Sequence, residues 1–534
     1  MLTNAQDLPH ELKYEVLSYL DARDLTRAMS VSVSWYQICS YPLLWKSLYF
    51  QEGWTISEET MLKFEEHLRQ WQLQFDFQHD LFRSALKRLS HPAASDETRR
   101  EITGKLPSYL MTISNDRSRV YEQFFVSLEH VLLGARTHTA LQNLRSRLSV
   151  IARVEIGDPF YRTAMFSPNS NGSIRLHTDW RYLYVNRNLL ENNWRVGRYS
   201  AEFLNVPVNE EDSTNVPEGI YCVYFDHQYL AAGSRDHSIR LWEKNNNFNF
   251  IAQLKGHHAS VLCLQLDSKR NLLVSGSSDS TIKVWNLEGR NVMQTLTGHT
   301  ESVLGLHFED NYIVSCSRDT TARIWRLQEQ FSSSAGPDVD SLGSCSTKRM
   351  SKFVLSHILR GHRAAVNSVH FKNNIIATAS GDRTVRLWNL TSGSTIRTIS
   401  AHARGIACVN ISGGLLVTGS SDHVIKVWDL SSGEEVRTLR GHNALVRTIH
   451  TDNTKVISGS YDQSIRIWDL QSGDMLKELS GLHDSKYFLI NINVTNRAYR
   501  IFRVHRDQRR IISCDGNGKI VVWDFSGLVD ATFF

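Results

Sequence analysis

From about residue 216 onward, short apolar runs alternate with polar turns, and the pattern recurs along the chain. The segment Leu272-Leu-Val-Ser-Gly-Ser-Ser-Asp-Ser-Thr-Ile-Lys-Val-Trp285 has close relatives before and after it. Asp236, Asp279, Asp319, Asp382, Asp422 and Asp462 each stand six residues before Trp242, Trp285, Trp325, Trp388, Trp428 and Trp468. The last copy departs from this, with Asn517 six residues before Trp523 and Asp515 the nearest aspartate. Successive tryptophans are 43, 40, 63, 40, 40 and 55 residues apart. Such a period marks an array of one supersecondary unit that cannot bury its own faces alone.

Each unit reads as four short strands. Val292–Leu296, Val303–Phe308, Tyr312–Cys316 and Thr321–Trp325 are rich in Val, Ile, Leu and aromatics, with Gly-His, Glu-Asp-Asn and Ser-Arg-Asp turns between them. Seven such sheets arranged radially bury each other and leave only short edges, which predicts a seven-bladed β-propeller. Gly256-His257, Gly298-His299, Gly361-His362 and Gly441-His442 precede the innermost strands, with Ala401-His402 and Gly481-Leu-His483 as variants. A proton shuttle would not be copied around a ring, so these histidines and aspartates read as structural.

Two breaks lengthen the period. Phe331–Lys352 is rich in Ser with Gly, Pro and Asp, and reads as a loop on the face away from the Gly-His turns. The second, roughly Gly481–Tyr499, opens on the Gly-His face and carries Lys486, Tyr487 and Arg497. The last strands, Arg500–Val504, Arg510–Cys514 and Lys519–Trp523, need an outer partner. Either Leu528–Phe533 or Ala201–Val206 can supply it, because an open ring leaves an edge exposed.

The N-terminal pattern is helical. Leu12, Val16, Leu17 and Leu20 recur at helical spacing after Asp7 and Pro9, a plausible cap and first-turn proline. Asp21–Asp24 is a polar break, further short helices follow through Ile38, and Pro42 precedes a last amphipathic turn with Leu44, Trp45 and Leu48. Leu8, Pro9, Leu12, Val16 and Leu20 are more apolar surface than so small a bundle hides, which predicts docking on a partner. Residues 51–200 read as mostly helical. Met61, Phe64, Leu68, Trp71 and Phe75 form a stripe that Phe82, Leu86 and Leu89 resume, and Tyr121–Leu133 and Ala140–Ala152 read as further helices. Phe166–Arg175 reads as a loop, followed by an aromatic helix over Trp180–Trp194. The expected domains are residues 7–50, a helical linker region over 51–200, and the propeller over 201–534, a multidomain α plus all-β fold.

Composition narrows function by exclusion. The 534-residue chain carries a net charge of +5, too mild to argue for direct nucleic-acid binding. Seven cysteines without metal-ligand or disulfide spacing fit a reducing compartment, hence an intracellular protein of the cytoplasm, the nucleus or both. The N-terminus lacks the form of a signal peptide, and no apolar run is long enough for a membrane span. No P-loop, nucleophile elbow, zinc cluster or kinase signature appears, so no enzyme, metal or cofactor is expected.

The segment 7–50, with its Leu8-Pro9 opening, Val31-Ser-Val-Ser-Trp35 core and Leu44-Trp45-Lys46 close, resembles an F-box. Followed by a helical linker and seven WD repeats, it resembles the F-box/WD-repeat substrate receptors of SCF ubiquitin ligases. That resemblance implies that Leu8, Pro9, Leu12, Val16, Leu20, Trp35 and Trp45 bind a Skp1-type adaptor, and through it cullin and RING subunits. It implies a buried network of the Gly-His histidine, the turn Asp, a strand Ser or Thr and the Trp. The aromatic helix resembles the linker helix that enters the propeller in this family, and its packing would fix the spacing of ligase and substrate.

The propeller would capture a protein for ubiquitylation, in phosphorylated form where a phosphodegron is read. Arginines in phosphodegron-reading relatives occur at the positions of Arg235, Arg318 and Arg447. Arg363, Arg404 and Arg383 add charge to the same face, and Tyr461 stands in the series of Arg235 and Arg318. Ser278, Ser421 and Gly381 break that series, and Leu262, Leu304, Asn367 and Ala407 break that of Arg447, so ordinary rim charges remain the alternative. Family members that dimerise do so through helices before the F-box, where only six residues stand here, so no homodimer of that kind is expected. The competing function is a WD scaffold in signalling or RNA processing without an adaptor.

Overall fold

The computed structural model describes residues 17–31, 35, 38–39, 41–70, 72–73, 164–168, 174–204, 219–244, 247–331, 349–480, 500–527 and 529–533. The chain divides into two compact units, Met1–Leu190 with Leu528–Phe534, and Glu191–Gly527. Among the described residues no helix is long and apolar enough to cross a membrane.

In the first unit Asp21 caps the helix Ala22–Met29, its carboxylate accepting the Asp24 N–H at 2.7 Å. Pro42 opens the helix Pro42–Gln51, where its missing N–H costs nothing. That helix buries Leu44, Trp45, Leu48 and Tyr49, and the Trp45 indole N–H donates to the Cys39 carbonyl at 2.8 Å. Residues 58–70 are helical and turn Phe64 inward, with Met61 and Leu68 packed at the core edge. Trp180, Leu183 and Tyr184, from the helix Trp180–Val196, join this core, where Tyr184 meets Trp45 edge-on at 5.4 Å.

One of the two options for ring closure, and one expectation for the linker, are set aside. Leu528–Phe533 is not an outer propeller strand. Phe533 packs on Phe64 at 5.2 Å, its carbonyl accepts the Ser57 N–H, and Asp530 accepts the Tyr182 hydroxyl at 2.9 Å. Phe166–Arg175 is not simply a loop, since Ala164–Pro168 pairs antiparallel with Ile174–Thr178. The Asn, Ser, Gly and Pro content of the segment had pointed to a loop, and such residues alone do not reveal the strands on either side. The remaining linker helices, Trp71, Phe75 and beyond, and Tyr121–Leu133 and Ala140–Ala152 lie outside the described residues.

The second unit is a seven-bladed propeller, each blade a four-stranded antiparallel sheet. Blade 1 comprises Ile220–Phe225, Tyr229–Ser234, Ile239–Glu243 and Asn249–Leu254. Inner strands of the next six begin at Val261, Val303, Val366, Ile406, Val446 and Ile501, and all seven pack side by side in a ring. The sequence repeat is one strand out of phase with the blade: Asn291–Leu296 is the outer strand of blade 2, whereas Val303–Glu309 opens blade 3. Blade 7 completes itself with Ser200–Leu204, Ala201 facing Trp523 and Phe203 facing Val521. The ring is thus closed by the first strand of the array pairing with the last.

Neighbouring blades leave almost no space between them. A Cβ on Gly276 would lie 2.7 Å from Val303 Cγ1 in the next blade. The inserted stretch after Trp325 begins as sheet rather than loop: Ala322–Phe331 and Arg349–Leu359 stay in register out to Phe331 opposite Arg349. Residues 332–348, and the whole second insertion with Lys486, Tyr487 and Arg497, lie outside the described residues.

The Gly-His face of the propeller

Five blades carry a complete polar relay. In blade 2 the Trp285 indole N–H donates to Ser275 Oγ at 2.8 Å, and Ser275 Oγ lies 2.8 Å from His257 Nε2. His257 Nδ1 meets Asp279 at 2.9 Å, and Asp279 also accepts the Thr281 hydroxyl and the His258 N–H. The relay is directional when the imidazole is neutral, with Nδ1–H donating and Nε2 accepting. Burial holds the His257 imidazole below its ordinary value despite the pull of Asp279. Burial alone would raise the Asp279 carboxyl, but donors from Thr281, His258 and His257 outweigh it and hold it at about 2.

The same relay recurs in the sets His299–Asp319–Ser315–Trp325 and His362–Asp382–Thr378–Trp388. It recurs again in His402–Asp422–Thr418–Trp428 and His442–Asp462–Ser458–Trp468. Its parts are consumed by one another, so it is a frame and not chemistry. Blade 1 substitutes a buried ion pair, Asp236 with Arg240 at 2.8 Å. In blade 7 Asp515, fully buried, accepts the Asn517 and Lys519 N–H groups, while Trp523 keeps its bond to Ser513.

This frame positions the face. Every inner strand has a bulge at its second residue, which disturbs the strict alternation of the strand there. Those residues are Tyr221, Leu262, Leu304, Asn367, Ala407, Arg447 and Phe502, and six of them line the mouth of the central channel; Ala407 is the exception. Arg447 therefore meets a second cation at the channel, Arg503. Tyr461 packs edge-on against Phe502 at 5.8 Å, and the Arg500 guanidinium lies 5.1 Å from its ring centre. Arg503, Arg500 and Phe502 escaped the sequence reading, although aligning Ile501-Phe-Arg503 with Val446-Arg-Thr448 would have placed Phe502 in the series of Arg447.

The other expected arginines lie on the exposed turns. The Arg363 N–H donates to Asp382 at 2.9 Å; Arg383, at a φ of +71°, presents its carbonyl to Ala401 and His402. Arg404 offers its carbonyl to Ser420, which places these three bases in one sector across blades 4 and 5. Arg318 is 70% exposed beside Glu301, and Arg235 stands on the turn of blade 1. The structure thus makes two groupings, Arg447 with Arg503 at the channel and Arg363, Arg383 and Arg404 on the turns, rather than one cluster of all six.

In the first unit, Leu20 and Trp35 are partly buried against the core. Trp45 is only 1% exposed and serves that core, so the adaptor contact expected of it is not available to its side chain. Leu8, Pro9, Leu12 and Val16 lie outside the described residues. Tyr19, Val31 and Leu43, which the periodicity did not single out, are apolar side chains that stand 84%, 71% and 59% exposed. Among the described residues no group of three or more His, Cys, Asp or Glu side chains is placed to hold a metal.

Comparison with known proteins agrees with this division. The F-box-like family pattern matches residues 5–51. The WD domain, G-beta repeat pattern matches residues 213–243, 248–286, 290–326, 353–389, 393–429 and 433–469. Blade 7, with its distant outer strand and Asn517 in place of aspartate, lies outside those spans.

Cell division control protein 4 of Saccharomyces cerevisiae is 30% identical over 44% of this chain and 31% of its own length. Mitochondrial division protein 1 of Candida glabrata is 27% identical over 35% of this chain and 28% of its own length. The chain thus spans less than a third of either relative. The solved WD40 beta propeller domain of Doa1 is 22% identical, covering 61% of this chain and 96% of that one with a TM-score of 0.47. The chain thus combines two kinds of protein-interaction module, an F-box-like segment and a set of WD repeats. Carrying an F-box-like domain ahead of a WD40 propeller, the chain is an F-box/WD-repeat protein.

Proposed function

We propose that this chain is the substrate-recognition subunit of an SCF-type ubiquitin ligase. Its F-box docks on a Skp1-type adaptor, which links it to cullin and RING subunits. The Gly-His face of its propeller holds the protein to be ubiquitylated and degraded. The observation that carries this reading is the pairing, in one chain, of an F-box-like segment with a propeller whose face carries several arginines, Arg447 and Arg503 among them at the channel mouth. Guanidinium groups are suited to phosphate because they present a planar fork of charge-assisted donors, which favours a phosphorylated target.

A second reading, a WD scaffold outside the ubiquitin pathway, draws on the similarity to mitochondrial division protein 1. One experiment separates the two. The intact chain and a variant lacking residues 5–51 are purified from cells with and without proteasome inhibition, and bound proteins are identified by mass spectrometry. A Skp1-type adaptor and a cullin are expected with the intact chain only, and a client that accumulates under inhibition. Recovery of clients without any adaptor would overturn the ligase reading in favour of the scaffold.

A further inference from the structure

The central channel holds a second feature, at the end opposite the Gly-His face. The third residues of the inner strands of blades 1 to 6 are small: Cys222, Cys263, Gly305, Ser368, Cys408 and Thr448. Blade 7 places Arg503 there, and its side chain reaches both the channel mouth and the cavity beyond it. Among the described residues no carboxylate pairs with Arg503 and no hydrogen bond uses its guanidinium. Arg503 is only partly exposed, and the described residues supply it no counter-ion, so an anion entering the channel would find its charge unmatched.

The cavity beyond Arg503 has a volume of about 400 Å³, in the range that takes a small molecule. Four of its seven blades contribute an imidazole, from His307, His370, His450 and His505. His307 Nδ1 accepts the Phe371 N–H of the next blade, and His370 Nδ1 accepts the Ile411 N–H, both at 3.4 Å. With the Nδ1 lone pair engaged, a neutral ring carries its proton on Nε2, which no protein group accepts among the described residues. Such a ring is a donor and cannot offer Nε2 to a metal ion without losing its tie to the next blade. Burial, then Arg503, keeps the His307 imidazole neutral at pH 7, its value pushed down to about 3. The charged lining comprises Arg503 and Lys372 against Glu309.

We propose that this channel cavity is an anion site for a compact phosphate-bearing small molecule, paired with Arg503 and hydrogen-bonded by His307 and His370. A fixed cation supplies the charge, and neutral N–H donors supply direction without adding self-repulsion to the empty cavity. The cavity opens away from the face assigned to protein capture, so a free small molecule fits it better than a phosphorylated side chain of the target. The site is independent of the ligase reading.

The test uses the full chain and inorganic pyrophosphate, by titration calorimetry and thermal unfolding. Saturable binding at one site per chain and a raised Tm are expected. Arg503→Thr should fold, since Thr448 occupies the equivalent place in blade 6, and should weaken binding about tenfold or more, the loss of a charge-assisted pair. Arg503→Lys should retain part of the affinity, and His370→Gln should weaken it less than Arg503→Thr does. Arg447→Glu, at the other end of the channel, should lower it least. Absence of saturable binding at millimolar pyrophosphate would overturn the site, as would wild-type affinity in a folded Arg503→Thr chain. Two further results would do the same: loss of binding in Arg447→Glu but not Arg503→Thr, or stabilisation by zinc chloride alone with none by pyrophosphate. Should Arg503→Thr unfold, Arg503→Lys and His370→Gln decide the matter, because unchanged affinity in both would exclude the channel.

Discussion

Blades 2 to 6 and blade 1 solve one problem with different chemistry. Each must satisfy the polar groups of a tight turn beneath the Gly-His face. In blades 2 to 6 a histidine links the turn aspartate to a buried hydroxyl and the tryptophan. In blade 1 Arg240 takes the role, its side chain 4% exposed and paired with Asp236. The difference is one of risk. A relay that loses its aspartate leaves only uncharged donors wherever the imidazole is neutral, whereas a buried ion pair that loses its aspartate leaves a full charge.

The largest effect should therefore fall on the blade that departs from the pattern. Asp236→Ala is expected to destabilise the propeller by about 3–5 kcal/mol, as for one partner removed from a buried pair. Asp382→Ala, which strips acceptors from His362, Arg363 and Thr384, should cost about 2–3 kcal/mol. Denaturant unfolding of both variants measures the order. Adding Arg240→Ala to Asp236→Ala should recover part of the loss, because it removes the stranded charge. Equal costs for the two aspartates, with no recovery, would show that the ion pair and the relay are energetically alike.

Closure offers a second contrast, between an outer strand joined by a tight turn and one joined across the whole array. Ala201→Pro removes a donor from the strand Ser200–Leu204, and Val436→Pro does the same in blade 5. A proline inside a strand forfeits a ladder bond where that N–H is paired, and its ring strains the edge. Val436 lies within the register irregularity of its strand, between Glu435 opposite Trp428 and Arg437 opposite Val427, and its flanks are tethered by the turn after Asp429. Ala201→Pro is therefore expected to lower Tm more, because unpairing its strand also releases blade 7 from the start of the array. Equal Tm losses would mean that the ring does not depend on that junction.

How much of this was legible in the sequence follows from the same contrast. Blades 2 to 6 could be read because their strands, turns and Asp–Trp spacing are local. Closure by Ser200–Leu204 remained one of two options, because no local pattern states which of two distant strands pairs with Lys519–Trp523. Leu528–Phe533 had the right apolar content for a strand, and Phe533 spends it on Phe64 instead. Arg447 was visible as a candidate. Arg503 was not, because in a strand that alternates strictly its position reads as unremarkable until the bulge at Phe502 is known. Trp45 shows the converse error, since a tryptophan at an F-box motif position is as well suited to the core as to a partner.

Acidification should load the channel histidines together with the relay histidines His257, His299, His362 and His402, which burial also holds below their ordinary value. His307 and His450 are both held down to about 3, against an ordinary 6.5, by burial first and then by Arg503 and Lys372 or by Arg506 and Arg503. Asp452 opposes the shift of His450 only in part. A folded value below the unfolded one means that the unfolded chain takes up the proton first, so stability falls as pH drops below about 6.5. Each such histidine costs on the order of 1.4 kcal/mol per pH unit until about pH 3, and contributes no slope above pH 7. The relay carboxyls Asp279 and Asp319, held near 2, add a loss of the same sign only below about 3.8. His307→Asn, which borrows the residue of Asn410, should therefore flatten the stability profile between pH 6.5 and 4 while leaving the loss below pH 4. An unchanged slope in that variant would place the titrating group elsewhere.

The smallest effect on stability should be the largest on capture. Arg363, Arg383 and Arg404 spend only backbone groups on the fold, so replacing all three side chains should change stability by no more than about 0.5 kcal/mol. Their removal should nonetheless reduce recovery of a phosphorylated client, and less so at high salt, where exposed charges already count for little. Arg447→Glu should act more strongly than any one of them, because it sits at the channel mouth among Phe502, Tyr221 and Asn367 rather than on an open turn. If the triple variant loses the client and Arg447→Glu does not, recognition is centred on blades 4 and 5. If the reverse holds, the channel mouth is the anchor and the turn arginines only steer the approach. Equal retention of client by both would remove the arginines from recognition and leave the aromatic pair Phe502 and Tyr461 as the surface to change next.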